Sequence, residues 1–489
     1  MAQHKIIFRA DGSATVGYGH VHRLLSLTQM LHKNFDCVFV SHEAPEFLTT
    51  ELKLLSVPLK KVATIQYKLP DERKQGDEVA FDMNEIVSGN EIVVLDGYWF
   101  GKDFQTAIKK KGCTLAYVDD LMEEGNIADV IINHSLGINI TDYKIIAPAT
   151  SVYIGSNYGL INVPQQFSHK QQHTNLFTQL LISMGGADPL NYTCKVLEEN
   201  KTFILRFEKV VVMVGVAYKH LQQLKEATSA FDNLEIIQAV PKQQMFEIMQ
   251  NSSAAIISAS TMSVEYANVG GALVVIQTAD NQKYLYNGLI ETGAALPLEK
   301  IDSFNEASVA VVKEKQQQIF DGKSNERFIK LFDELQIQQE VTFIKAGAEH
   351  LQTTFEWASD ATVRAYSFNQ NPISFEEHQN WYLKKIEQAN CMYLLGKWEN
   401  DIVGSLRFDI TNDDALISYL VSPKYHGKGL GRILLAKGLD YLSKQNRNIT
   451  TATGYVMPQN IASVKVFERL GFNCTEENNQ LRFKKNIYR

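Results

Sequence analysis

Short apolar runs alternate with amphipathic segments from residue 1 to about residue 335. This alternation limits the number of folds that the chain can adopt. A helical pattern from His20 to Leu31 follows the first apolar run. Strands that alternate with helices form a parallel sheet with helices on both faces, so we predict such a lobe over residues 1–165. Its predicted strands are Lys5–Arg9, Cys37–Ser41, Ile92–Asp96 and Leu115–Asp119.

The same alternation restarts near Gln179 and predicts a second Rossmann-like lobe over residues 166–335. Open parallel sheets bind ligands beyond the carboxyl ends of their strands. The cleft between the two lobes is therefore the predicted binding site. The predicted strands of the second lobe are Leu180–Met184, Lys209–Val214, Leu234–Ile237, Ala255–Ile257 and Ala272–Ile276.

The pattern changes at Thr342, just after the polar segment Gln336–Glu340, where we place a domain boundary. Strands now follow one another directly, and a helix begins near Gly429. Successive strands without intervening helices are typical of a mainly antiparallel α+β domain, which we predict over residues 341–489. The predicted strands are Tyr393–Lys397, Ile402–Asp409 and Leu416–Val421.

Composition excludes several classes of function. The net charge of −7 gives no general attraction to nucleic acid or to anionic lipid. Five scattered cysteines, with no CxxC pair, indicate neither a disulfide framework nor a zinc site, and no apolar run reaches the length of a membrane span. We expect a cytoplasmic protein with no metal, no nucleic-acid partner and no membrane contact.

A glycine-rich turn follows the first predicted strand. Glycines at the start of a helix let backbone N–H groups approach an anion, which the helix dipole also attracts. His20 would lie in the first helical turn, where the same field disfavours imidazolium and leaves the ring able to accept a proton. A glycine turn with a surface histidine is the simpler alternative. The candidate residues here are Arg9, Asp11, Gly17, Gly19, His20 and Arg23.

The second lobe has comparable turns at the ends of its strands. Hydroxyl side chains at a helix start leave N–H groups for a diphosphate, and a carboxylate one turn later could accept hydrogen bonds from a ribose. Serine and threonine are equally ordinary helix caps, so this alternative stays open. The candidate residues are Gly185, Gly186, Asp188, Ser260, Thr261, Glu265, Asn281 and Gln282.

These motifs together resemble the nucleotide-sugar glycosyltransferases with two Rossmann-like lobes (GT-B type). A narrower resemblance is to the UDP-2,4-diacetamido-2,4,6-trideoxy-β-L-altropyranose hydrolases of bacterial pseudaminic acid biosynthesis. The shared features are the RAD and GxGHxxR motifs around His20, VLDGY ending at Tyr98, VDDL ending at Leu121, the run Ala128–Asn133, SMGGADPLN ending at Asn191, and the pair Asn281–Gln282. Ser258–Thr261 departs from the family pattern, which has glycines before the Ser-Thr pair.

This resemblance implies that His20 activates a water that attacks the anomeric carbon, with inversion and loss of UDP. UDP leaves without a strong proton donor, so the carboxylate pair of ordinary glycosidases is unnecessary and no metal is demanded. Side chains at strand ends are candidates for holding the sugar, although each could equally be a helix cap or a structural anchor. These candidates are Asp96, Tyr98, Asp119, Asn133 and Tyr158.

The clearest motif lies in the last third of the chain, where an apolar strand leads through HGKGLGR into a helix. Glycines at alternate positions let consecutive N–H groups wrap a pyrophosphate. The later segment Asn460–Phe472 reads as an amphipathic helix that ends at a glycine.

These two motifs resemble those of the GNAT superfamily of N-acetyltransferases, over about residues 342–489. The resemblance implies acetyl-CoA as co-substrate, with pantetheine along the strand, pyrophosphate on the loop and the later helix beside it. The residues it assigns to the cofactor are Tyr419, Leu420, Val421, His426, Gly427, Lys428, Gly429, Leu430, Gly431, Arg432, Asn460, Ser463 and Phe467.

Phe467 stands where these enzymes usually have the tyrosine that protonates the leaving thiolate. Tyr419, Tyr425 or a water could replace it, and the sequence does not choose among them. The acceptor amine must also lose a proton. Candidate bases, each of which could instead be structural, are Glu356, Glu376, Glu377 and His378.

Together, the two resemblances imply a hydrolase of a UDP-linked diacetamido-sugar fused to an acetyltransferase that acts on the preceding UDP-amino-sugar. Such an enzyme would feed nonulosonic acid synthesis and hence flagellin or surface-polysaccharide glycosylation. One alternative is a glycosyltransferase that passes its sugar to an acceptor. Another is a C-terminal domain that binds acetyl-CoA only as a regulatory module.

Overall fold

The structure is a computed structural model that describes residues 5–13, 17–62, 81–122, 125–143, 147–161, 163–164, 166–168, 175–445 and 448–487. Three sheets succeed one another along these ranges. Among the helices described, none is long and apolar enough to cross a membrane.

The first sheet has seven parallel strands in the order β3-β2-β1-β4-β5-β6-β7. Its central strands are buried on both faces, which explains their nearly continuous apolar sequences. The strands are β1 Lys5–Ala10, β2 Asp36–Ser41, β3 Leu59–Lys61, β4 Ile92–Asp96, β5 Thr114–Val118, β6 Val130–Asn133 and β7 Ser151–Ile154, and the helices are α1 Gly19–Leu31, α2 Glu46–Leu54 and α3 Lys102–Lys111.

The second sheet is also parallel, in the order β10-β9-β8-β11-β12-β13. The strands are β8 Gln179–Ser183, β9 Lys209–Val214, β10 Leu234–Gln238, β11 Ala254–Ser258, β12 Ala272–Ile276 and β13 Leu296–Pro297. The helices are α4 Tyr192–Glu199, α5 Lys201–Ile204, α6 Leu221–Thr228, α7 Lys242–Asn251, α8 Thr261–Val269, α9 Lys283–Glu291 and α10 Glu306–Ile319. All the strands predicted for both lobes are present. Four further strands, β3, β6, β7 and β13, have only two to four residues each and carry too little periodicity to be recognised.

Helix α11, Ser324–Glu340, returns from the second sheet to the first. Phe328, Leu331 and Leu335 on its apolar face are buried in the core of the first sheet. The polar segment Gln336–Glu340, at which we placed a boundary, is the last turn of this helix. Gln338 in this turn is buried rather than solvated, and its side chain accepts a hydrogen bond from Arg432 of the third domain.

The third sheet has seven strands in the order β14-β15-β16-β17-β18-β20-β19 and is antiparallel except between β17 and β18. The strands are β14 Thr342–Lys345, β15 Cys391–Trp398, β16 Asp401–Thr411, β17 Asp414–Val421, β18 Thr451–Val456, β19 Asn473–Glu477 and β20 Gln480–Asn486. The helices are α12 Leu351–Ser359, α13 Ala361–Arg364, α14 Phe375–Glu387, α15 Leu430–Gln445 and α16 Ile461–Arg469. This is the mainly antiparallel α+β arrangement that the sequence predicts.

Strands β17 and β18 pair only at their beginnings. The pairs run from Asp414 with Thr451 to Ile417 with Gly454. Beyond these pairs β17 continues to Val421, and no described residue pairs with it on that side. The unpaired main chain therefore opens a gap between the two parallel strands, directly before the HGKGLGR loop.

Buried polar contacts join the third domain to the first sheet. The guanidinium of Arg432 lies 3.3 Å from Glu334 and donates hydrogen bonds to Gln338 at 3.0 Å and to Ser151 at 3.2 Å. Arg469 reaches the Tyr158 hydroxyl at 3.4 Å. Both ionic partners of the Arg432–Glu334 pair are buried, so each depends on the other for its charge.

We expect the substitution Glu334→Gln to lower the free energy of unfolding by about 3 kcal/mol, because it leaves Arg432 as a buried cation without a counter-ion. Urea denaturation followed by circular dichroism measures this change. Asp440→Asn is the matched control, because its partner Lys444 is exposed and such pairs contribute about 0 to 1 kcal/mol. Equal effects of the two substitutions would contradict the prediction.

Candidate active sites

His20 lies in the first turn of α1 and is almost fully buried. Its Nδ1 is 2.7 Å from Oδ1 of Asp96, the last residue of β4. The rings of Tyr98 and Trp99 contact it edge-on, with centroids at 4.7 Å and 5.2 Å. No described residue makes a hydrogen bond to its Nε2. The side chain is thus fixed at one nitrogen and available at the other.

Asp96 is fully buried and is held by Arg23 as well as by His20. Arg23 donates to Asp96 through Nε at 2.8 Å and through Nη2 at 2.6 Å. Nη2 also lies 2.8 Å from Nδ1 of His20, but it can donate only if that nitrogen is unprotonated. The carboxylate favours the tautomer with a proton on Nδ1, which leaves the Nε2 lone pair free to accept a proton.

Arg23 also pairs with Asp120, at 2.5 Å. Burial raises the pKa of Asp120, but the charge of Arg23, its hydrogen bond and smaller contributions from neighbouring side chains together outweigh burial, so the net pKa is lowered. The Tyr98 hydroxyl donates to the same carboxylate at 3.1 Å and also meets the side chain of Asn281 from the second lobe. Asn281 therefore brings the second lobe to the His20 cluster.

His134, directly after β6, belongs to the same cluster but was not predicted. It is 8% exposed, and its Nδ1 has no hydrogen-bond partner among the described residues. Burial and then the charge of Arg23 lower its pKa to about 4. The pairs Asp119–Asp120 and Asn133–His134 both stand at strand ends, and the second member of each pair is the one that interacts with Arg23. The strand-end position was the available signal, but it does not show which member faces the cluster.

Several residues predicted to bind substrate have partners within the protein. Asp11 pairs with buried Arg9 and accepts from the main chain of residue 42 at 2.6 Å. Asp119 accepts from two backbone N–H groups of its own turn, and Asn133 bonds to Ser135 and Tyr143. The reason is shared: short polar side chains at strand ends bond to the nearest free backbone group.

Asp188 and Tyr158 were likewise predicted to bind substrate. The carboxylate of Asp188 accepts hydrogen bonds from Tyr192 and Thr193 at the start of α4. The Tyr158 hydroxyl lies against Arg469 of the third domain. Both residues therefore support packing between elements in this structure.

The remaining predicted residues of the first two lobes lie in turns and at helix starts. Ser260 is the N-cap of α8 and Thr261 its first residue, with no side chain capping this helix. Burial raises the pKa of Glu265, and Lys242 lies 3.8 Å from it. Gln282 accepts from the N–H of Thr278 at 2.8 Å. Gly185 and Gly186 follow β8, and Gly17 and Gly19 precede His20, while Ala14, Thr15 and Val16 of that motif lie outside the described residues.

The HGKGLGR loop lies between the gap in the third sheet and helix α15. Gly427 and Gly429 both have positive φ, and no atom would obstruct a Cβ at 427. At 429 a Cβ would lie 2.3 Å from the Glu334 carboxyl carbon, so only glycine fits against α11. The Nε2 of His426 meets the Val421 carbonyl at 3.0 Å, and Lys428 lies over Trp398. Leu430 and Gly431 open the helix.

Arg432 departs from its predicted place on this loop. Its side chain turns away from the loop and into the contact with α11 and β7 described above. The side chain of a residue near the start of a helix projects outward from the helix axis. At position 432 this direction brings the guanidinium to Glu334.

Tyr419 and Ser463 meet across the base of the gap, with 2.9 Å between their hydroxyl oxygens. Burial raises the pKa of Tyr419 to about 12. Phe467 is buried, and its ring stacks on Phe483 at 4.9 Å. Asn460 caps α16 by accepting from the Ser463 N–H. Leu420 and Val421 complete the unpaired end of β17.

The predicted acceptor bases have structural surroundings. His378 is buried, meets the Thr354 hydroxyl at 3.1 Å, and has a pKa lowered by burial. Glu377 caps its own helix through Ser374. Glu356 accepts from Gln352 on the surface of α12, while Glu376 is exposed. Tyr425 bonds to Asp401. In the described ranges, no three carboxylate, histidine or cysteine side chains converge as a metal site would require.

Comparison with known proteins agrees with part of this picture. Residues 351–472 match the sequence profile of the Acetyltransferase (GNAT) family. An uncharacterised protein of Methanocaldococcus jannaschii is 24% identical, over 97% of this chain and 97% of its own. The UDP-2,4-diacetamido-2,4,6-trideoxy-beta-L-altropyranose hydrolase of Campylobacter jejuni is 20% identical, over 59% of this chain and 97% of that protein.

Similar solved structures cover about 30% of this chain. Spermidine N-acetyltransferase from Vibrio cholerae, in complex with CoA and spermine, is 19% identical over 30% of this chain and 96% of that chain, with a TM-score of 0.28. A domain from Methanocaldococcus jannaschii is 22% identical over 30% of this chain and 97% of that chain, with a TM-score of 0.28. The chain thus contains a GNAT acetyltransferase domain and is weakly similar to a UDP-sugar hydrolase.

His134 makes stability depend on pH. Its pKa is about 4 in the folded chain and about 6.5 when unfolded, so the unfolded state binds more protons between these values. The free energy of unfolding therefore falls as the pH drops from 6.5 to 4, by about 3 kcal/mol at most. Urea denaturation at a series of pH values should show that His134→Gln flattens this dependence. The control His32→Gln, at the far end of α1, should leave it unchanged.

Proposed function

We propose that this chain carries out two consecutive steps on a UDP-linked amino-sugar in pseudaminic acid biosynthesis. Residues 341–489 transfer an acetyl group from acetyl-CoA to the 4-amino group. Residues 1–165 and 166–335, as the two lobes of a GT-B arrangement, then hydrolyse the UDP-linked 2,4-diacetamido-2,4,6-trideoxy-hexose to free sugar and UDP. The His20–Asp96 contact beside Arg23 is the observation that carries the hydrolytic part.

The geometry of this contact supports attack by a water molecule. Nε2 of His20 takes a proton from a water that attacks the anomeric carbon, and the imidazolium that forms is stabilised by Asp96. The water attacks opposite the leaving UDP, so the configuration inverts. Helix α8 has no side-chain cap, and its N-terminal N–H groups can stabilise the charge that develops on the diphosphate.

The surrounding carboxylates argue against a glycosidase with paired acids. A general acid needs a raised pKa, yet Arg23 keeps the pKa of Asp120 low. Asp96 is committed to His20 and Arg23. Asp120 therefore does not donate a proton readily. A leaving group such as UDP, which needs no donor, suits this site.

Acetyl transfer is supported by the gap between β17 and β18 and by the open loop at Gly427. The unpaired strand end offers main-chain groups to pantetheine, and the loop offers N–H groups to the pyrophosphate. Tyr419 remains protonated at neutral pH and reaches Ser463. It is therefore our candidate for the acid that Phe467 cannot provide, whereas Tyr425 is held by Asp401.

Mass spectrometry tests both steps. The full chain is incubated with acetyl-CoA and UDP-4-amino-4,6-dideoxy-N-acetyl-β-L-altrosamine. We expect free diacetamido-sugar and UDP from the unmodified protein. His20→Ala should accumulate the acetylated UDP-sugar, because a missing general base lowers the hydrolysis rate by about 100-fold or more.

His32→Ala is the matched control, because it removes a histidine from the opposite end of the same helix. It should behave like the unmodified protein. Release of UDP only when a hydroxylated acceptor is added would identify a glycosyltransferase instead. An amine that is neither acetylated nor cleaved would exclude the proposed substrate.

Tyr419→Phe tests the acetyltransferase acid. We expect kcat for acetyl transfer to fall by about 100-fold while the KM for acetyl-CoA changes little. Thiol release followed with a chromogenic disulfide gives both constants. Tyr441→Phe, on the partly exposed side of α15, is the control. Unchanged kcat in Tyr419→Phe would assign the proton to a water.

A further inference from the structure

On one face of the third sheet, a helix covers β15 but leaves part of β17 exposed. Helix α14 lies over β15, where Tyr393 and Leu395 pack with Tyr382 in a buried cluster. On β17, Leu416 is 40% exposed and Ser418 is also exposed. The open strip of this face therefore lies next to the gap between β17 and β18.

Arg407 stands at the border between the covered and the open part. Arg407 lies on β16. It is paired with Tyr393 of β15 on one side and with Ser418 of β17 on the other, so all three side chains project from the same face of the sheet. Its Cα is about 5 Å from that of Ser418. The guanidinium thus lies one strand away from the gap proposed to bind the pantetheine arm of acetyl-CoA.

The guanidinium is held in a fixed orientation. Its central carbon lies 4.9 Å from the centroid of the Trp381 ring and 6.0 Å from that of Tyr393, and its Nε donates to Asp409 at 2.9 Å. Among the described residues, neither terminal nitrogen makes a hydrogen bond. An arginine stacked on aromatic rings and anchored through Nε presents two parallel donors, the arrangement that binds phosphate oxygens.

The charged side chains around Arg407 have a positive sum. Asp409 also accepts from Lys385 at 2.8 Å, so two cations share one carboxylate. The cluster carries a net charge of about +1. It attracts an anionic acceptor and repels a polyamine.

We propose that Arg407 binds the diphosphate of the acetyl acceptor and thereby selects a nucleotide-linked amino-sugar over a cationic amine. This inference rests on the proposed acetyl transfer and names the residue that selects its acceptor. The 4-amino group and the diphosphate lie at opposite ends of one pyranose ring. The amine can therefore reach the gap while the diphosphate meets Arg407 across the open strip.

Steady-state acetyl transfer by full-length Arg407→Gln tests the assignment. We expect the KM for the UDP-4-amino-sugar to rise about 10- to 100-fold, because a charge-assisted contact is lost. The kcat and the KM for acetyl-CoA should stay close to those of the unmodified protein. Arg407→Lys should fall between the two, since it keeps the charge but loses the paired donors.

Lys444→Gln is the matched control. It removes the same charge from the far end of α15, about 20 Å along the helix from the loop. It should leave the KM for the amino-sugar unchanged. An Arg407→Gln protein with the KM of this control, or an unmodified protein that acetylates spermidine in preference to the UDP-sugar, would overturn the inference.

Calorimetry with UDP alone separates this inference from the proposed reaction. The unmodified chain should bind two UDP molecules, one in the cleft between the lobes and one at Arg407, and Arg407→Gln should bind one. Loss of one site without any detectable acetyl transfer would support the inference and contradict the reaction. Equal stoichiometry in both proteins would refute the inference even if acetyl transfer is observed.

Discussion

The buried contact between helix α11 and Arg432 is the constraint on which the arrangement of the whole chain depends. The apolar face of α11 completes the core of the first sheet, while Glu334 and Gln338 on the same helix hold Arg432 at the start of α15. Gly429 also packs against Glu334. One helix therefore supports both the lobe that carries His20 and the loop proposed to bind pyrophosphate. Because a buried arginine without its counter-ion is costly, the two halves are held in one relation to each other.

Electrostatic pairing organises the first site in a similar way. Arg23 forms ion pairs with both Asp96 and Asp120 close to His20. Asp96 in turn sets the histidine tautomer, and Asn281 reaches the same cluster from the second lobe. The chemistry of the site therefore depends on contacts between side chains of α1, the end of β4 and the turn after β5. This arrangement suits base catalysis by a histidine better than catalysis by a pair of carboxylic acids.

Sequence periodicity predicted most of the fold, because strand and helix patterns are local. The α1 pattern placed His20 in the first turn of its helix, and the HGKGLGR motif placed a glycine loop between strand and helix. Very short strands such as β13 escape recognition, and the polar segment that predicts a boundary is the last turn of α11, directly before β14. Its glutamines look solvated in sequence, but Gln338 is buried and accepts from Arg432 of the third domain, while Gln339 donates to the Glu91 carbonyl of the first lobe.

The sequence alone determined which segments carry chemistry: the turns after strands, the helix starts, and the residue types found there. Only the tertiary structure decided which of those side chains face a site. Asp120 and His134 interact with Arg23, whereas their neighbours Asp119 and Asn133 bond to their own turns. Arg432 turns to another domain rather than to its own loop. The physical reason is that a polar side chain satisfies its charge and hydrogen bonds with whatever the fold brings near, and those partners lie far away in sequence.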